Sequence, residues 1–207
     1  MRKWIIGLAT LLVAGCASVG SMYGDFSRPY KASVQMVIGD SRPYCSGTIV
    51  KDTPSTFYVL TAGHCRASDP TLFSIKTDEC GLYKVSAGVY NNIGTDVGVV
   101  AIDKGEKRCK LTSASLARNL SVGEPVMGIS YPGMLTKTIS FGYVAALEQF
   151  VNNTRFNVFE ISGGPGSSGS GIFNTKGEIV GVLTGPATGG FGHIRGSTIE
   201  DIQAVWP

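Results

Sequence analysis

The 207-residue sequence has little charge, few histidines and no closely spaced cysteine pair. Charged residues make up 16% of the chain, and only two histidines are present. The basic residues form no dense patch, which argues against a nucleic-acid-binding protein. The cysteine spacing is not of the CxxC kind, so a zinc site is not expected. The sequence also has no low-complexity tract or internal repeat, and few segments keep a helical period beyond two turns.

The sequence is instead rich in glycine and in short runs of β-branched and aromatic residues. Its 28 glycines and other turn-forming residues separate these runs, a pattern typical of an all-β protein. Strands are predicted over 32–38, 44–50, 57–61, 72–76, 81–89 and 97–102, and over 125–130, 137–146, 155–161, 171–174, 179–184 and 192–195. Because no crossover helices are evident, we predict two antiparallel six-stranded β-barrels, at about 31–115 and 124–207. A short C-terminal helix should follow, with Ser197 or Thr198 as its N-cap.

The first sixteen residues form an export signal rather than part of the fold. Arg2 and Lys3 precede an apolar run over 4–13, which is too short to span a bilayer. The string Leu-Val-Ala-Gly-Cys, which ends at Cys16, resembles the lipobox of bacterial lipoproteins. That resemblance implies a lipidated Cys16, a membrane anchor and a place in the cell envelope, at the outer membrane or cell surface. The alternative is an ordinary signal peptide with a chance cysteine.

Removal of this signal changes the expected charge and the cysteine count. The chain loses two of its 18 basic residues and none of its 15 acidic residues, so the formal charge falls from +3 to +1. Residues 17–30 are predicted to form a tether to the folded domain, which begins at about residue 31. Four cysteines remain, which are Cys45, Cys65, Cys80 and Cys109. An even number in an exported protein predicts two disulfides, with three possible connectivities.

A glycine-rich segment over 163–171 carries three serines where no strand or helix can form. Its sequence is Gly-Gly-Pro-Gly-Ser-Ser-Gly-Ser-Gly, and glycine and proline disfavour both regular structures. A tight loop of this kind can direct several backbone N–H groups at one ligand. We interpret Ser168 as a nucleophile in this loop, with Ser167 and Ser170 as alternatives. Phosphate binding is disfavoured because no lysine follows the loop and no helix begins there.

Two further motifs precede this loop in the chain. The string Leu-Thr-Ala-Gly-His-Cys over 60–65 places His64 at the end of an apolar strand. Asp96 begins another apolar strand, where a carboxylate can hold an imidazole N–H. The alternative acids are Asp69, Asp78 and Asp103.

These segments together resemble the chymotrypsin-like (trypsin-fold) serine proteases. The string over 60–65 matches the histidine motif of that family at every position, and Gly-Ser-Ser-Gly-Ser over 166–170 matches one form of its serine motif. The order His, Asp, Ser is also that of the family, unlike the orders in subtilisins and α/β-hydrolases. The resemblance covers about residues 30–205 and implies an active site in the cleft between two barrels.

The resemblance also implies a role for each residue of the motifs. Ser168 would be the nucleophile, His64 its general base, and Asp96 the residue that orients His64. The backbone N–H groups of Gly166 and Ser168 would form the oxyanion hole. Many animal members carry an aspartate directly before the nucleophile, and Ser167 stands there instead. Activation through a new N-terminus is therefore not expected.

The family pattern further implies one disulfide and a set of pocket residues. Cys45 stands where the family has the partner of Cys65, so Cys80 and Cys109 should pair with each other. The residues placed around the specificity pocket are Ser162, Leu183, Thr184, Gly185 and His193. Trypsin-like specificity requires aspartate at the position of Ser162, and glutamate-specific relatives have histidine near that of Leu183. A small or apolar residue before the scissile bond is therefore expected, and His193 lies either on the opposite pocket wall or simply on the surface.

The predicted function is that of a monomeric serine endopeptidase that acts on peptide or protein substrates and uses no cofactor or metal. The alternative is an inactive protein of the same fold that serves as a binding protein in the cell envelope. The complete set of His, Asp and Ser motifs favours the enzyme.

Overall fold

The computed structural model describes residues 24–39, 42–66, 73–84, 89–92, 95–151, 153–187 and 192–207. The first-half strands are β1 (Ser33–Ile38), β2 (Arg42–Asp52), β3 (Thr56–Ala62), β4 (Phe73–Thr77), β5 (Gly81–Lys84), β6 (Val89–Asn92) and β7 (Val97–Asp103). The second-half strands are β8 (Pro125–Ser130), β9 (Thr138–Val151), β10 (Thr154–Glu160), β11 (Gly171–Asn174), β12 (Ile179–Pro186) and β13 (Ile194–Gly196). Two α-helices, α1 (Ser27–Ala32) and α2 (Ile199–Val205), and two short 3-10 helices, Gly63–Cys65 and Pro132–Met134, complete the described elements. The predicted export signal with Cys16, and the alternative acid Asp69, lie outside these residues.

The first half of the chain forms an open antiparallel sheet in the order β5-β4-β1-β2-β3-β7-β6. The predicted six-stranded closed barrel is wrong here, because the single strand predicted over 81–89 is two strands. β5 pairs with β4, whereas β6 pairs with β7. Among the described residues no ladder joins β5 to β6, so this sheet is a curled half-barrel of seven strands.

The second half forms the predicted closed six-stranded barrel, in the order β10-β13-β12-β11-β8-β9. Its interior is filled by buried apolar side chains, including Val144, Phe159 and Ile172. β9 continues past the predicted end at residue 146 and pairs with both β8 and β10. Gly142 permits this close pairing, because a Cβ there would lie 1.6 Å from the carbonyl oxygen of Glu160. The all-β prediction is therefore confirmed, with one barrel closed and one sheet half-closed.

The two sheets pack against each other through a shared hydrophobic core. Leu60 and Val97 of the first sheet lie in one buried cluster with Met127 and Phe173 of the second and with Ile202 of α2. Burial of such side chains stabilises each by roughly 1.5–3 kcal/mol. The cleft between the two sheets is thus held on a continuous apolar base.

A buried lysine adds polar bonds across the same boundary. Lys137, which precedes β9, donates from Nζ to the carbonyl oxygens of Tyr30 and Ser33, both at 2.7 Å, and to Asp78 Oδ2 at 2.6 Å. Only 4% of its side chain is exposed. Burial lowers the pKa of Lys137, and the hydrogen bond to Asp78 opposes that shift. Such fully partnered burial of a charge fixes the relative position of the segments it joins.

The beginning of the described chain departs from the prediction, whereas its C-terminal helix confirms it. Residues 27–30, assigned to the tether from the sequence, begin α1, where Pro29 is buried and Arg28 Nε donates to the carbonyl oxygen of Ser113 at 2.8 Å. At the other end the N-cap of α2 is Thr198, which forms a reciprocal capping box with Asp201. No helix among the described residues is long and apolar enough to cross a bilayer.

Candidate active site

His64 and Asp96 lie in direct contact at the edge of the first sheet. β3 ends at Ala62, and the 3-10 turn Gly63–Cys65 carries His64 past the strand end. β3 pairs with β7 through Ala62↔Val97, so the residue before Val97 must lie beside the residues that follow Ala62. His64 Nδ1 accordingly lies 3.0 Å from each carboxylate oxygen of Asp96.

The backbone at both residues supports this contact. The backbone N–H of His64 donates to Asp96 Oδ1 at 2.8 Å, so the carboxylate binds the ring and the main chain together. Asp96 itself has a φ of 59°, a left-handed conformation that few residues other than glycine adopt. Aspartate tolerates this region better than most side chains. The conformation turns the carboxylate back over the end of β3.

The contact also decides the protonation of the ring. Carboxylate oxygens only accept hydrogen bonds, so Nδ1 carries the proton and Nε2 is the basic nitrogen of the neutral ring. The hydrogen bond to Asp96 raises the pKa of His64 above its ordinary value, and partial burial of the ring opposes that rise. His64 therefore remains a stronger base than a free imidazole, with Nε2 available to accept a proton.

The glycine-rich loop lies against the disulfide beside His64. The carbonyl oxygen of Ser168 is 3.6 Å from Cys65 Sγ and accepts the backbone N–H of Ser46 at 2.8 Å. Both contacts attach the Ser168 backbone to the residues next to Cys45 and Cys65, which are joined in a disulfide. The loop that carries Ser168 therefore lies next to the turn that carries His64, and Asp96 contacts His64.

Some backbone N–H groups of the loop have partners within the protein and two do not. Ser167 N–H donates to the carbonyl oxygen of Gly164 at 2.9 Å, and Gly169 N–H donates to that of Leu183 at 2.7 Å. For the described residues, no hydrogen bond is found from the N–H groups of Gly166 and Ser168. Two amide donors that are close in sequence are therefore available to a bound oxygen atom.

Two glycines make this conformation possible. Gly166 has a φ of +90°, and a Cβ there would lie 2.6 Å from the carbonyl oxygen of Tyr131. Gly169 has a φ of +85°, and a Cβ there would lie 2.1 Å from Thr61 Oγ1. Both the backbone dihedral and the available space thus require glycine on each side of Ser168.

Ser46, which the sequence analysis did not select, connects the loop to both sheets. Besides its N–H bond to Ser168, its Oγ donates to the carbonyl oxygen of Gly166 at 2.8 Å and accepts the N–H of Tyr131 at 3.1 Å. Ser46 is 1% exposed. A serine inside a β-strand has no distinctive sequence signal, and only its position after Cys45 in the disulfide-bonded strand could have indicated this role.

The hydroxyl groups of the three loop serines have different environments. Ser167 is fully buried, and its Oγ bonds to Ser130 Oγ at 3.1 Å and accepts Gly164 N–H at 3.2 Å. Ser170 is also fully buried, and its Oγ has no partner among the described residues. Only Ser168 is partly exposed, so it is the loop serine whose hydroxyl a substrate can reach.

The rival acids have other partners or positions. Asp78 binds Lys137, as described above, and Asp103 accepts the backbone N–H of Gly105 at 2.8 Å from the far end of β7.

The second disulfide joins Cys80 to Cys109, the pair expected from the sequence. Among the described residues, the group with metal-ligand proximity is Cys45, His64 and Cys65. Because both sulfurs belong to the disulfide, this group offers a metal one ordinary ligand, His64.

The predicted pocket residues do not all face the same space. A Cβ on Gly163 would lie 3.1 Å from Leu183 Cδ1 and 3.2 Å from Ile194 Cδ1, so apolar side chains lie behind the loop. Ser162 is exposed and its N–H donates to Ser140 Oγ at 2.6 Å. His193 Nε2 instead lies 2.7 Å from Glu160 Oε2, with 42% of its side chain exposed. Ile194, which was not among the predicted pocket residues, lies beside Gly163.

The other two predicted pocket residues lie on the edge of β12. Thr184 Oγ1 donates to the carbonyl oxygen of Arg195 at 3.3 Å. Gly185 pairs with Arg195 of β13, and the ladder is irregular between Leu183 and Gly185. This irregular edge runs beside the loop that carries Ser168, because Leu183 bonds to both Gly169 and Ser170.

Comparison with known proteins identifies the family. The sequence profile of the family described as "Trypsin-like peptidase domain" matches residues 45–182, which is more than half of the chain. The chain belongs to the trypsin-like peptidase family. The match includes His64, Asp96 and Ser168, so the contacts described above lie within the family domain.

Individual relatives of this trypsin-like peptidase are bacterial. The chain is 30% identical over 140 residues to a Pseudomonas putida protein named "Probable periplasmic serine endoprotease DegP-like", a match that covers 66% of the chain and 28% of the relative. It is 24% identical over 152 residues to a Staphylococcus haemolyticus protein named "Serine protease HtrA-like", covering 67% of the chain and 24% of the relative. The chain therefore spans about a quarter of the length of these curated relatives.

A solved structure shows the same fold. The crystal structure of the serine endoprotease from Yersinia pestis has a TM-score of 0.70 to this trypsin-like peptidase, with 21% sequence identity. The superposition covers 87% of this chain and 63% of that one.

Two disulfides in the domain further indicate an oxidising, extracytoplasmic location.

Proposed function

We propose that this trypsin-like peptidase is a serine endopeptidase that uses His64, Asp96 and Ser168. The observation that carries the proposal is the double contact of the Asp96 carboxylate with His64 Nδ1, beside a loop that exposes only one of its three serines. This contact leaves Nε2 as a base directed away from the carboxylate. The family membership supports the same reaction class.

The reaction follows from these groups. Ser168 Oγ attacks the carbonyl carbon of the scissile peptide bond while His64 Nε2 takes its proton. The imidazolium then donates that proton to the departing amine, which leaves an acyl ester on Ser168. Water attacks the ester, gives its proton to His64 and releases the carboxylate product with Ser168 restored. Asp96 stabilises the imidazolium at each stage and keeps Nδ1 protonated.

The two uncommitted amide groups have a place in this reaction. We assign the N–H groups of Gly166 and Ser168 to the oxyanion of the tetrahedral intermediate. One donor of this kind typically contributes about 3–4 kcal/mol of transition-state stabilisation. Because these donors have no protein partner in the described residues, a substrate oxygen has no protein acceptor to displace from them. An apolar lining by Leu183 and Ile194 supports a preference for small or apolar residues before the scissile bond.

The location of the enzyme follows from the export signal. We propose that Cys16 is lipidated and that the domain works outside the cytoplasm on peptide or protein substrates, anchored to a membrane. The acyl chains, at about 0.8 kcal/mol per buried CH₂, provide stable attachment when more than one is present.

Fluorophosphonate labelling tests the proposed chemistry. Such a probe phosphonylates an activated serine Oγ with loss of fluoride, so the mature protein should be labelled and mass spectrometry should locate the adduct on Ser168. Prior denaturation should abolish labelling. An unlabelled folded protein would support the binding-protein alternative, and an adduct on Ser167 or Ser170 would contradict the assignment of the nucleophile.

Ser46→Ala should lower kcat by about 10–100-fold with a much smaller change in KM, because misplacement of oxyanion donors affects the transition state more than the bound substrate. The substitution removes the Oγ bonds to Gly166 and Tyr131. Steady-state kinetics on a peptide ester checks this.

Ser33→Ala is the matched control for Ser46→Ala. Ser33 is also a buried serine of the first sheet, and its Oγ donates to the carbonyl oxygen of Pro29 at 2.9 Å. Ser33→Ala loses one hydrogen bond and Ser46→Ala loses two, each worth about 1 kcal/mol of stability, but Ser33→Ala should keep its kcat. Equal effects of the two variants on kcat would remove Ser46 from the site.

A further inference from the structure

The outer face of the second barrel carries exposed aromatic side chains where the N-terminal segment reaches the domain. Phe26, Phe141 and Tyr143 are 44%, 46% and 50% exposed. The rings of Phe26 and Phe141 meet edge to face with their centroids 6.5 Å apart. Phe141 and Tyr143 are two residues apart on β9, so their side chains project from the same face of the strand. We call these three residues the aromatic face.

Basic residues lie on the segments that adjoin this aromatic face. Arg28 and Lys31 are exposed on α1, which begins directly after Phe26, and Lys176 is exposed in the turn after β11. That turn packs against the start of α1, because a Cβ on Gly177 would lie 3.0 Å from Pro29 Cγ. The acids of this region have partners of their own. Asp25 accepts the N–H and the Oγ–H of Ser27, and Glu160, which is opposite Tyr143 on β10, lies 2.7 Å from His193 Nε2. Aromatic rings beside lysine and arginine are the side chains that favour the interface between a bilayer and water.

The chain between the lipobox and the domain is too short to let this face move far from a membrane. Seven residues separate Cys16 from Gly24, so even a fully extended segment spans no more than about 30 Å. The segment joins the domain next to Phe26, which is itself part of the aromatic face. Anchoring therefore holds this face, more than any distant surface, at high effective concentration near the lipid headgroups.

We propose that the aromatic face docks on the surface of the anchoring bilayer, with its rings at the headgroup level and with Lys31 and Lys176 directed toward anionic lipid. This inference rests on the proposed lipidation of Cys16 and is independent of the catalytic assignment. Docking gives the anchored enzyme one orientation on the membrane, so its cleft is presented to substrates from a constant side.

Depth-dependent fluorescence quenching tests the docking. The mature lipoprotein is reconstituted into vesicles of phosphatidylethanolamine and phosphatidylglycerol, with and without brominated acyl chains. Phe141→Trp should be quenched by about twofold or more by the brominated lipid, as expected for a ring at the interface. The signal of the native Trp206 is subtracted with the unsubstituted protein. Tyr143→Trp serves the same purpose if Phe141→Trp does not fold, as judged by circular dichroism.

Phe150→Trp is the matched control, because Phe150 is 66% exposed but lies near the other end of β9. It should show no quenching. Vesicle flotation, and its loss in Cys16→Ser, reports the anchor separately. Flotation without quenching of Phe141→Trp would overturn docking while the anchor stands, and equal quenching of both tryptophans would overturn the choice of face. Failure to float would overturn the anchor and docking together, whereas fluorophosphonate labelling would still report the peptidase.

Discussion

Ser168→Ala should lower kcat on a peptide substrate by about 10⁶-fold, leaving only the residual rate that binding and oxyanion stabilisation supply. The reason is that Ser168 is the partly exposed serine of the loop, flanked by Gly166 and Gly169 and attached through its carbonyl group to Ser46. Without its Oγ no acyl ester forms, so burst kinetics should disappear as well. KM should change little, because the substitution removes only one hydroxyl group. Steady-state and single-turnover measurements check both statements.

Ser170→Ala is the control that isolates this effect. Its hydroxyl is two residues away in the same loop, fully buried and without a partner among the described residues. Removal of an unpaired hydroxyl leaves no partner unsatisfied, so the free energy of unfolding should change little. The kcat should stay within a factor of about ten of that of the unsubstituted protein. If Ser170→Ala abolishes turnover and Ser168→Ala does not, the register of the serine motif is wrong.

Asp96→Asn should lower kcat by about 10⁴-fold without unfolding the protein. An asparagine side chain can donate to Nδ1 and so favours the tautomer that places the proton on Nε2, where it cannot accept a proton from Ser168. The main-chain bond from His64 N–H to the side-chain oxygen can persist, so the local backbone should keep its shape. Circular dichroism and thermal melting should therefore change little.

The same substitution should move the pH profile in a defined direction. Because Asp96 raises the pKa of His64, and because only the neutral ring is a base, the acid limb of kcat/KM should lie above the ordinary imidazole range. Loss of the carboxylate lowers that pKa, so the remaining activity of Asp96→Asn should have its acid limb at lower pH. Asp103→Asn, at the far end of the same strand, should shift neither the limb nor the rate. An unmoved limb in Asp96→Asn would show that His64 is not the group that titrates.

Much of the strand pattern was predictable because alternation and turn residues are local signals. β8 and β11 have the predicted bounds, β1 and β7 differ by one residue at one end, and β3 differs by one residue at each end. The strand predicted over 81–89 failed because its two parts pair with different strands, β4 and β7. α1 was missed because a six-residue helix has too few residues to show a period, and it is held by packing of Pro29 and by the Arg28 bond to Ser113.

Some residues of the candidate site could be predicted from the sequence and others could not, again because only local patterns are visible there. His64, Asp96 and Ser168 could be selected because each belongs to a short string with its own chemistry. Ser46 could not, because its importance lies in contacts with Gly166, Ser168 and Tyr131 that are far away in the chain. His193 was considered for the pocket because histidine is rare in this chain, but it pairs with Glu160.

The sequence by itself determined the family motifs, their order and the glycines on each side of Ser168, since these depend on residue type and on neighbours in the chain. It left three serines as candidates for the nucleophile and four aspartates as candidates for the residue that orients His64. Only the tertiary structure distinguishes among the candidates that it describes, because exposure and hydrogen-bond partners depend on which segments the fold brings together. Ser167 and Ser170 are buried, Asp78 binds Lys137, Asp103 lies at the wrong end of β7, and Asp96 holds His64.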